Sequence, residues 1–565
     1  MTNERAADKI FALFIFLPFM GVTQFVMANT VGLKASVVAG SVGLAGWFVA
    51  LVFTVFRGGI LSGFPRWFAA VFGLFAIWVF WITSLPPYFR DDLIIHLELP
   101  KTILRAGSWV SIPFQPSSVF PNILAPINLV LVNAGLERAV SVIPALFYLA
   151  SALLLARWAA AEYGAGWGVF SACAILLEPI FFRLSTTAYN DPAVMFLSCA
   201  GSYYFWKYFR DGRGTDGYKG AVAFAAGSAI KYNAGLLLVT TLVILFADSL
   251  RTRTFGPRIR VFLVSVLAVG LFCGPWWVRF AHEHPSAPTY FLKGPMQERV
   301  LFCGESFAYA LASPVRLFFE GEEGKMCAYD GGLNPFLLIF GVFCLPIVGA
   351  ATDKRFLLAS AALFMATASL LFPITGRYFL PVAPTLVFLS AGFLFAASKW
   401  RNLAAVALAS ALLVFSAQGY ARAAWRFNGW DFLLGRESQN AFLAKNIAGY
   451  GATMFANQRL AQNSVVYYVF LGNQVYYSSV PYYYDSYWDG ATFIRLFKPE
   501  ADNDYAYREL GTRNITHVIY NKKMMDNFLA RSGTREKFSA FKERYATTLY
   551  GDNGAELLEL VKQRP

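Results

Sequence analysis

The chain is poor in charge, histidine and nucleotide-binding signatures. Only 15% of its 565 residues are charged, and four are histidine. It contains no P-loop and no Gly-x-Ser-x-Gly elbow. It also lacks short-period repeats and low-complexity tracts, which argues against a solenoid or a disordered linker. No small-residue cleavage site follows the first apolar stretch, so we expect that stretch to be a membrane span rather than a removed signal peptide.

Apolar residues dominate what is present. The chain is 57% hydrophobic, with 55 Phe and 28 Tyr and a mean hydropathy of +0.48. This composition is typical of a polytopic α-helical membrane protein with aromatic residues at the interfaces. The net charge of +14 does not require nucleic acid as a partner, because Lys and Arg gather in short loops, where they set topology and face anionic membrane lipid.

The apolar stretches predict about thirteen transmembrane helices, each needing about 20 residues. The stretch 219–249 is interrupted by Lys231-Tyr232-Asn233 and has basic loops on both sides. The positive-inside rule then requires an even number of crossings, so two short helices, or a re-entrant pair, turn at Lys231 on the outer side. The N-terminus is expected inside and the C-terminus outside. The other predicted spans are 10–29, 35–56, 67–85, 139–157, 166–183, 191–208, 260–279, 335–350, 356–373, 378–397 and 402–418.

This topology divides the chain into two predicted domains. Residues 1–418 form the transmembrane domain, with long outer loops at 86–138 and 280–334. Residues 419–565 are more polar and contain β-like runs at Ser464–Phe470 and at His517–Tyr520. We therefore expect the tail to fold as a small soluble α/β domain on the outer face.

Asp91 and Asp92 lie in the first outer loop and are candidate catalytic residues. A carboxylate near the membrane surface could act as a general base, and its neighbour would raise its pKa. The alternative is a helix lying in the interface, with acids at its N-terminus. His96 follows on the same predicted helical face. It could support the acids as a neighbouring partner, act as a ligand, or only pack at the membrane interface.

A second acidic turn, Tyr189-Asn190-Asp191-Pro192, opens a later span. Asp before Pro at a helix start is also an ordinary cap, yet Asp191 at the outer edge would point into the cleft that the outer loops enclose. Asp191 is therefore a third candidate catalytic residue, which would orient the acceptor or hold the base. Tyr189 and Asn190 are candidate acceptor-side residues.

Four cations lie at outer span ends, against the positive-inside bias. An anionic lipid headgroup or a phosphate ligand would explain them, while snorkelling to the interface is the alternative for at least one or two of the four. They are Arg183, Lys231, Arg279 and Arg377.

Two loop features are compatible with metal or disulfide chemistry. His282-Glu283-His284 could hold a divalent metal, although its spacing matches no strict signature. Cys303 and Cys327 share one polar loop, where a disulfide would form if the loop lies outside the cytosol. The other four cysteines fall in apolar stretches and are expected to pack.

In combination, these features resemble the GT-C class of membrane glycosyltransferases, in particular the branch with protein O-mannosyltransferases and lipid A aminoarabinose transferases. Asp91-Asp92 is followed by Gly107-Ser108-Trp109; this spacing puts the family's catalytic Asp on Asp92. A related pattern, Asp-x-Leu-x-x-His-Leu-x-x-Pro-Lys, puts it on Asp91. Further matches occur in order at Tyr189–Asp191, Lys231-Tyr232, Pro275–Arg279, Arg316–Gly331, Arg377-Tyr378 and Leu434–Ser438.

The resemblance implies an inverting glycosyltransferase of the bacterial inner membrane with its C-terminal domain in the periplasm. The donor would be a polyprenyl-phosphate-linked sugar, and the acceptor a lipid, glycan or protein. Lys231, Arg377 and Arg279 would bind the donor phosphate, because the family's Lys-Pro-Pro segment is absent. No cofactor is required in this scheme, and it is compatible with a divalent metal. Two spans precede the first acidic loop beyond the family pattern. The alternative is a transporter or lipid-linked sugar flippase.

Overall fold

The computed structural model describes residues 2–57, 59–112, 118–281, 303–344, 352–372, 375–399, 401–471, 475–484, 491–497, 504–552 and 554–561. Helices dominate this part of the chain. In chain order they are α1 (Thr2–Thr30), α2 (Leu33–Arg57), α3 (Arg66–Ile82), α4 (Glu98–Ala106), α5 (Ala125–Asn133), α6 (Val142–Tyr163), α7 (Ala165–Leu176), α8 (Pro179–Ser185), α9 (Asp191–Asp211), α10 (Gly214–Ser228), α11 (Tyr232–Thr252), α12 (Phe255–Phe280), α13 (Phe307–Leu311), α14 (Ser313–Glu320), α15 (Pro335–Leu338), α16 (Thr352–Leu371), α17 (Ala383–Ser398), α18 (Asn402–Trp425), α19 (Trp430–Leu433), α20 (Gln439–Asn446), α21 (Tyr450–Arg459), α22 (Ala491–Leu496), α23 (Tyr505–Thr512), α24 (Lys522–Ser532) and α25 (Arg535–Tyr545).

Shorter helical turns connect some of these helices. Two are π-helical, Asp92–His96 and Ile339–Cys344, and three are 3₁₀, namely Glu137–Ser141, Met326–Ala328 and Gly376–Val382. The chain divides into two compact units: a helical unit, Met1–Ser84 with Val119–Asn428, and a mixed unit, Leu85–Ser118 with Gly429–Pro565. The predicted division at 418/419 thus differs from the observed one, because the start of the first loop packs with the tail and α18 continues to Trp425.

Eight helices within the described residues are long and apolar enough to span a membrane, or nine if a bent pair counts as one span. These properties confirm the predicted class of polytopic helical membrane protein, while the count of about thirteen spans stays a prediction. The predicted span 67–85 is the 17-residue helix α3, and 335–350 begins with α15 and a π-helical turn. The interrupted stretch 219–249 is two helices, α10 and α11, which meet at Lys231 as predicted.

The predicted span 166–183 is broken rather than straight. Helices α7 and α8 meet at an angle of 67°. Pro179 opens α8, and a residue before proline avoids the helical conformation, so Glu178 is extended (φ −72°, ψ 118°). The Glu178 carboxylate accepts a hydrogen bond from the Asn334 backbone N–H at 2.7 Å. This contact ties the break to the start of α15.

The interior of the helical unit is built on α6 and α9. Every residue of α9 from Asp191 to Tyr208 is buried. Trp158 of α6 stacks on Phe388 of α17, with ring centroids 4.0 Å apart. Helices α2 and α18, by contrast, are only 17% and 22% buried over their most apolar windows. A helix that is apolar all round and exposed in this way is suited to contact with lipid.

The mixed unit contains a five-stranded sheet within its described residues. Its strands are β1 (Val466–Val469), β2 (Tyr482–Tyr484), β3 (His517–Asn521), β4 (Ala546–Gly551) and β5 (Ala555–Leu560), in the spatial order β2-β1-β3-β5-β4. Strand β1 runs parallel to β2 and β3, while β5 is antiparallel to β3 and β4. Tyr467, Phe493, Phe538 and Leu558 belong to its core. This confirms the predicted α/β fold of the tail, with strands in both β-like runs.

Candidate functional site

Asp191 and Lys231 form a partly buried ion pair in the helical unit. Lys231 Nζ lies 2.7 and 2.8 Å from the two carboxylate oxygens of Asp191. The Asp191 side chain is 2% exposed and the Lys231 side chain 25% exposed. Asn190, not Asp191, occupies the N-cap position of α9. The carboxylate of Asp191 therefore binds the Lys231 ammonium group and does not cap its own helix.

Arg377 lies beside the same ion pair. Its guanidinium carbon is 5.6 Å from the Tyr189 ring centroid and 5.7 Å from that of Tyr378. Lys231 Nζ lies 5.4 Å from the Tyr378 centroid, so both cations flank one aromatic ring. We call Tyr189, Asp191, Lys231, Arg377 and Tyr378 the Lys231 cluster. The side chains of Lys231 and Arg377 are of the types that bind phosphate, Lys as a point charge and Arg through its planar fork of donors.

The residues next to the Lys231 cluster are held by amide contacts. Asn190 Nδ2 donates to Asn122 Oδ1 at 2.9 Å, and Asn233 Nδ2 donates to the Tyr378 carbonyl at 3.2 Å. Sequence reasoning missed Asn122 and Asn233 as supporting residues. The only signal for them was their position directly after an apparent turn, at Pro121-Asn122 and Lys231-Tyr232-Asn233.

A tight loop supports the backbone at Arg377. The Gly376 N–H donates to the Tyr329 carbonyl at 2.7 Å. Tyr329 and Asp330 have positive φ angles of 64° and 43°, which are unfavourable for residues with a side chain. A Cβ on Gly376 would lie 2.1 Å from the Gly331 carbonyl oxygen. Only glycine fits there, so the position of Arg377 depends on this loop.

The other two predicted cations have different surroundings. Arg183 pairs with Asp330, with Nη1 2.8 Å from Oδ1 and Nη2 2.9 Å from the carbonyl oxygen. It thereby anchors the strained loop. Arg279 Nε donates to Asn29 of α1 at 3.2 Å, a contact outside the Lys231 cluster. Of the three residues predicted to bind phosphate, the described contacts thus bring together Lys231 and Arg377.

Asp91 and Asp92 belong to the mixed unit and are buried. They are 8% and 2% exposed. Asp92 opens the π-helical turn Asp92–His96, whose end is marked by a hydrogen bond from Leu97 N–H to the Asp92 carbonyl at 2.9 Å. His96 lies on this turn and is also buried. The helix considered near Asp91 is therefore a π-helical turn followed by α4, and both acids are buried within the protein.

Glu98 at the start of α4 contacts the tail of the chain. Its Oε1 accepts hydrogen bonds from the Tyr482 hydroxyl and from Thr102 Oγ1 at 3.0 Å. Burial raises the pKa of the Glu98 carboxyl to about 7, against the lowering effects of Lys101 and the Thr102 hydrogen bond. Lys101 donates to the carbonyls of Tyr476 and Ser478. Sequence reasoning did not single out Glu98.

The predicted metal and disulfide positions have separate outcomes. His282, Glu283 and His284 lie outside the described residues. Within the described ranges, no group of three or more His, Cys, Asp or Glu side chains could hold a metal ion. Cys303 and Cys327 are joined by a disulfide in this structure. Cys199 and Cys273 are buried, as expected of packing residues.

Comparison by sequence gives one family. The model of the dolichyl-phosphate-mannose-protein mannosyltransferase family matches residues 119–278. This stretch includes Asn190, Asp191 and Lys231, while Asp91, Asp92 and Arg377 lie outside it. No curated protein sequence matches the chain.

Comparison by structure extends the likeness to most of the chain. A crystal structure of ArnT from Cupriavidus metallidurans bound to undecaprenyl phosphate matches with a TM-score of 0.56 at 15% identity, covering 87% of this chain and 98% of that one. Its apo state matches with a TM-score of 0.54 at 16% identity and the same coverage.

The apo oligosaccharyltransferase of Archaeoglobus fulgidus gives a TM-score of 0.50 at 14% identity, covering 88% of this chain and 75% of that one. The chain therefore has the GT-C fold of membrane glycosyltransferases, and its residues 119–278 match the protein mannosyltransferase family.

Proposed function

We propose that the protein transfers a monosaccharide from a polyprenyl-phosphate donor to a hydroxyl of a lipid, glycan or protein acceptor. The observation that carries this proposal is the Lys231 cluster, where Lys231 pairs with the buried Asp191 carboxylate and lies, with Arg377, against the Tyr378 ring. Further support comes from the shared fold and from the undecaprenyl phosphate bound to ArnT. We place the reaction at the periplasmic face of a bacterial inner membrane, following the charge pattern of the loops.

Lys231 and Arg377 bind the donor phosphate in this proposal. Asp191 holds Lys231 in place, since both of its carboxylate oxygens lie within hydrogen-bond distance of Nζ. The aromatic faces of Tyr189 and Tyr378 orient the Arg377 guanidinium. Fixed cations stabilise the charge that develops on the leaving phosphate, and such electrostatic stabilisation is often the largest contribution to catalysis.

Asp91 or Asp92 acts as the general base. The carboxylate takes the proton of the acceptor hydroxyl as its oxygen attacks the anomeric carbon. The bond from that carbon to the phosphate oxygen breaks, and polyprenyl phosphate leaves with the bonding electron pair. A single displacement of this kind inverts the anomeric configuration. The scheme balances without a cofactor or an oxidant.

The test is transfer of radiolabelled sugar from a panel of synthetic polyprenyl-phosphate sugars by purified protein, with a membrane extract as acceptor. We expect transfer from at least one donor by the wild type and loss of transfer in the Asp91→Asn/Asp92→Asn double variant. Transfer by the double variant at the wild-type rate would refute the assignment of the base. Movement of intact donor across vesicles, with no transfer, would favour a flippase.

A further inference from the structure

The turn that carries Asp91 and Asp92 is bracketed by contacts to one short segment of the C-terminal part of the mixed unit. We propose that Tyr477 and Tyr482 are positioning residues, which fix the two aspartates for the transfer reaction by tethering the chain before and after them. This inference rests on the proposed function, because the aspartates are its candidate bases. Both tyrosines lie outside residues 119–278, the stretch that the family model matches.

The first tether lies before the aspartates. The Tyr477 hydroxyl donates a hydrogen bond to the Pro87 carbonyl at 2.7 Å. The next residue, Tyr88, packs edge-to-face on Phe442 of α20, with centroids 5.0 Å apart, and Phe442 is fully buried. These contacts fix the chain four residues before Asp91.

The second tether lies after the aspartates. The Tyr482 hydroxyl of β2 donates to Glu98 Oε1, and Glu98 is fully buried. Lys101 and Arg105 of α4 donate to the Ser478 carbonyl at 3.2 and 3.3 Å. Helix α4 is thus attached along its length to residues 476–482.

The segment that receives both tethers is itself held in place. Asn457 of α21 donates from Nδ2 to the Tyr477 carbonyl at 2.8 Å and accepts from the Ser479 N–H at 2.8 Å. Strand β2 is at the edge of the sheet and pairs with β1, which in turn pairs with the central strand β3. A turn held at both ends by a sheet-anchored segment keeps its geometry better than a free loop, and catalytic groups need positioning to fractions of an ångström.

The backbone of the aspartate turn should respond to both tethers. Leu93 N–H donates to the Phe89 carbonyl at 3.1 Å and Leu97 N–H to the Asp92 carbonyl at 2.9 Å. Leu93 and Leu97 are fully buried. Their amide exchange therefore reports opening of the turn, whether or not the protein has transferase activity.

The experiment compares the wild type with Tyr477→Phe, Tyr482→Phe and the double variant, all in lipid nanodiscs. Tyr483→Phe is the matched control, because Tyr483 is the next residue of β2 and its hydroxyl accepts from Arg513 instead. Loss of one hydrogen bond that contributes about 1 kcal/mol corresponds to a rate change of about fivefold, and loss of both to about 25-fold. We expect kcat to fall by these factors with the KM for donor unchanged, and exchange at Leu93 and Leu97 to rise similarly.

Wild-type kcat and unchanged exchange in the double variant would overturn the inference. A fall of the same size in Tyr483→Phe would overturn it as well, since general loosening of the sheet would then explain the effect. If the wild type shows no transfer with any donor, the proposed function fails, and the exchange of Leu93 and Leu97 alone decides whether the tethers hold the turn. If the double variant does not fold, kcat and the amide exchange of Leu93 and Leu97 in each single variant decide the question instead.

Discussion

Replacing Lys231 by methionine should separate the structural role of the ion pair from its role in binding. Lys231→Met removes the cation and leaves the Asp191 carboxylate buried, with 2% exposure. Breaking a buried pair by removing one partner costs about 3–5 kcal/mol. Because a quarter of the Lys231 side chain is exposed, water reaches the pair, and we expect a loss of about 2–3 kcal/mol.

The double variant Asp191→Asn/Lys231→Met should recover much of this stability, because no uncompensated charge remains. We expect it to be about 1–2 kcal/mol more stable than Lys231→Met alone. Donor binding should not recover, since the cation that we propose binds the phosphate is still missing. From the single to the double variant, stability therefore rises while donor binding stays low, which a purely structural ion pair would not produce.

The assay is thermal unfolding followed by tryptophan fluorescence in one detergent, beside binding of undecaprenyl phosphate. Lys325→Met is the control: Lys325 pairs with Glu322 at the surface with 64% and 44% side-chain exposure, and we expect an effect within about 0.5 kcal/mol. Strictly additive stability losses would refute the coupling of Asp191 and Lys231. Undecaprenyl phosphate binding that returns together with stability would refute the phosphate-binding role of Lys231.

Three further predictions concern the loop, the buried acid and the aspartates. Gly376→Ala should raise the KM for donor about tenfold or more, since its Cβ would lie 2.1 Å from the Gly331 carbonyl oxygen. The control Gly274→Ala, whose Cβ would have no neighbour within 4 Å, should match the wild type. Equal KM values for the two variants would contradict this. The pKa of Glu98 is raised from 4.5 to about 7 in the folded protein, so between these pH values the folded state binds one proton more than the unfolded state. The free energy of unfolding should therefore fall as the pH rises from 4.5 to 7, by about 3 kcal/mol in all. Lys101, Arg105, Tyr468, Tyr482 and Tyr484 surround or act on this carboxyl, and Glu98→Gln should flatten that pH dependence; a wild-type pH profile in Glu98→Gln would exclude Glu98 as its source. Of Asp91→Asn and Asp92→Asn, the one that removes the base should lower kcat by about 10²–10⁴ while the other retains most of its activity, and equal small effects would leave neither as the base.

Local sequence patterns predicted the elements well but not their partners. The charge of Lys231 inside an apolar stretch predicted a helix break, and α10 and α11 meet there. The break at Glu178-Pro179 was missed, because an apolar window averages over a proline and one carboxylate. The contact of Glu178 with Asn334, 156 residues away, has no local signature.

The candidate site was predictable as a set of residues, and its arrangement was not. Asp191, Lys231 and Arg377 were chosen because charge at a span end is costly without a partner. Which cation meets which carboxylate depends on helix neighbours that hydropathy does not specify. The Tyr482–Glu98 contact joins residues 384 positions apart, and the joining of Leu85–Ser118 to the tail depends on such pairs.

The most direct test of the account is to count released lipid phosphate and transferred sugar in the same reaction. Purified protein in nanodiscs is given the donor that supports transfer, with and without acceptor. The account predicts one polyprenyl phosphate released per sugar transferred, and release only when acceptor is present. Sugar appearing on the acceptor without equal release of polyprenyl phosphate, or donor that stays intact throughout, would contradict it.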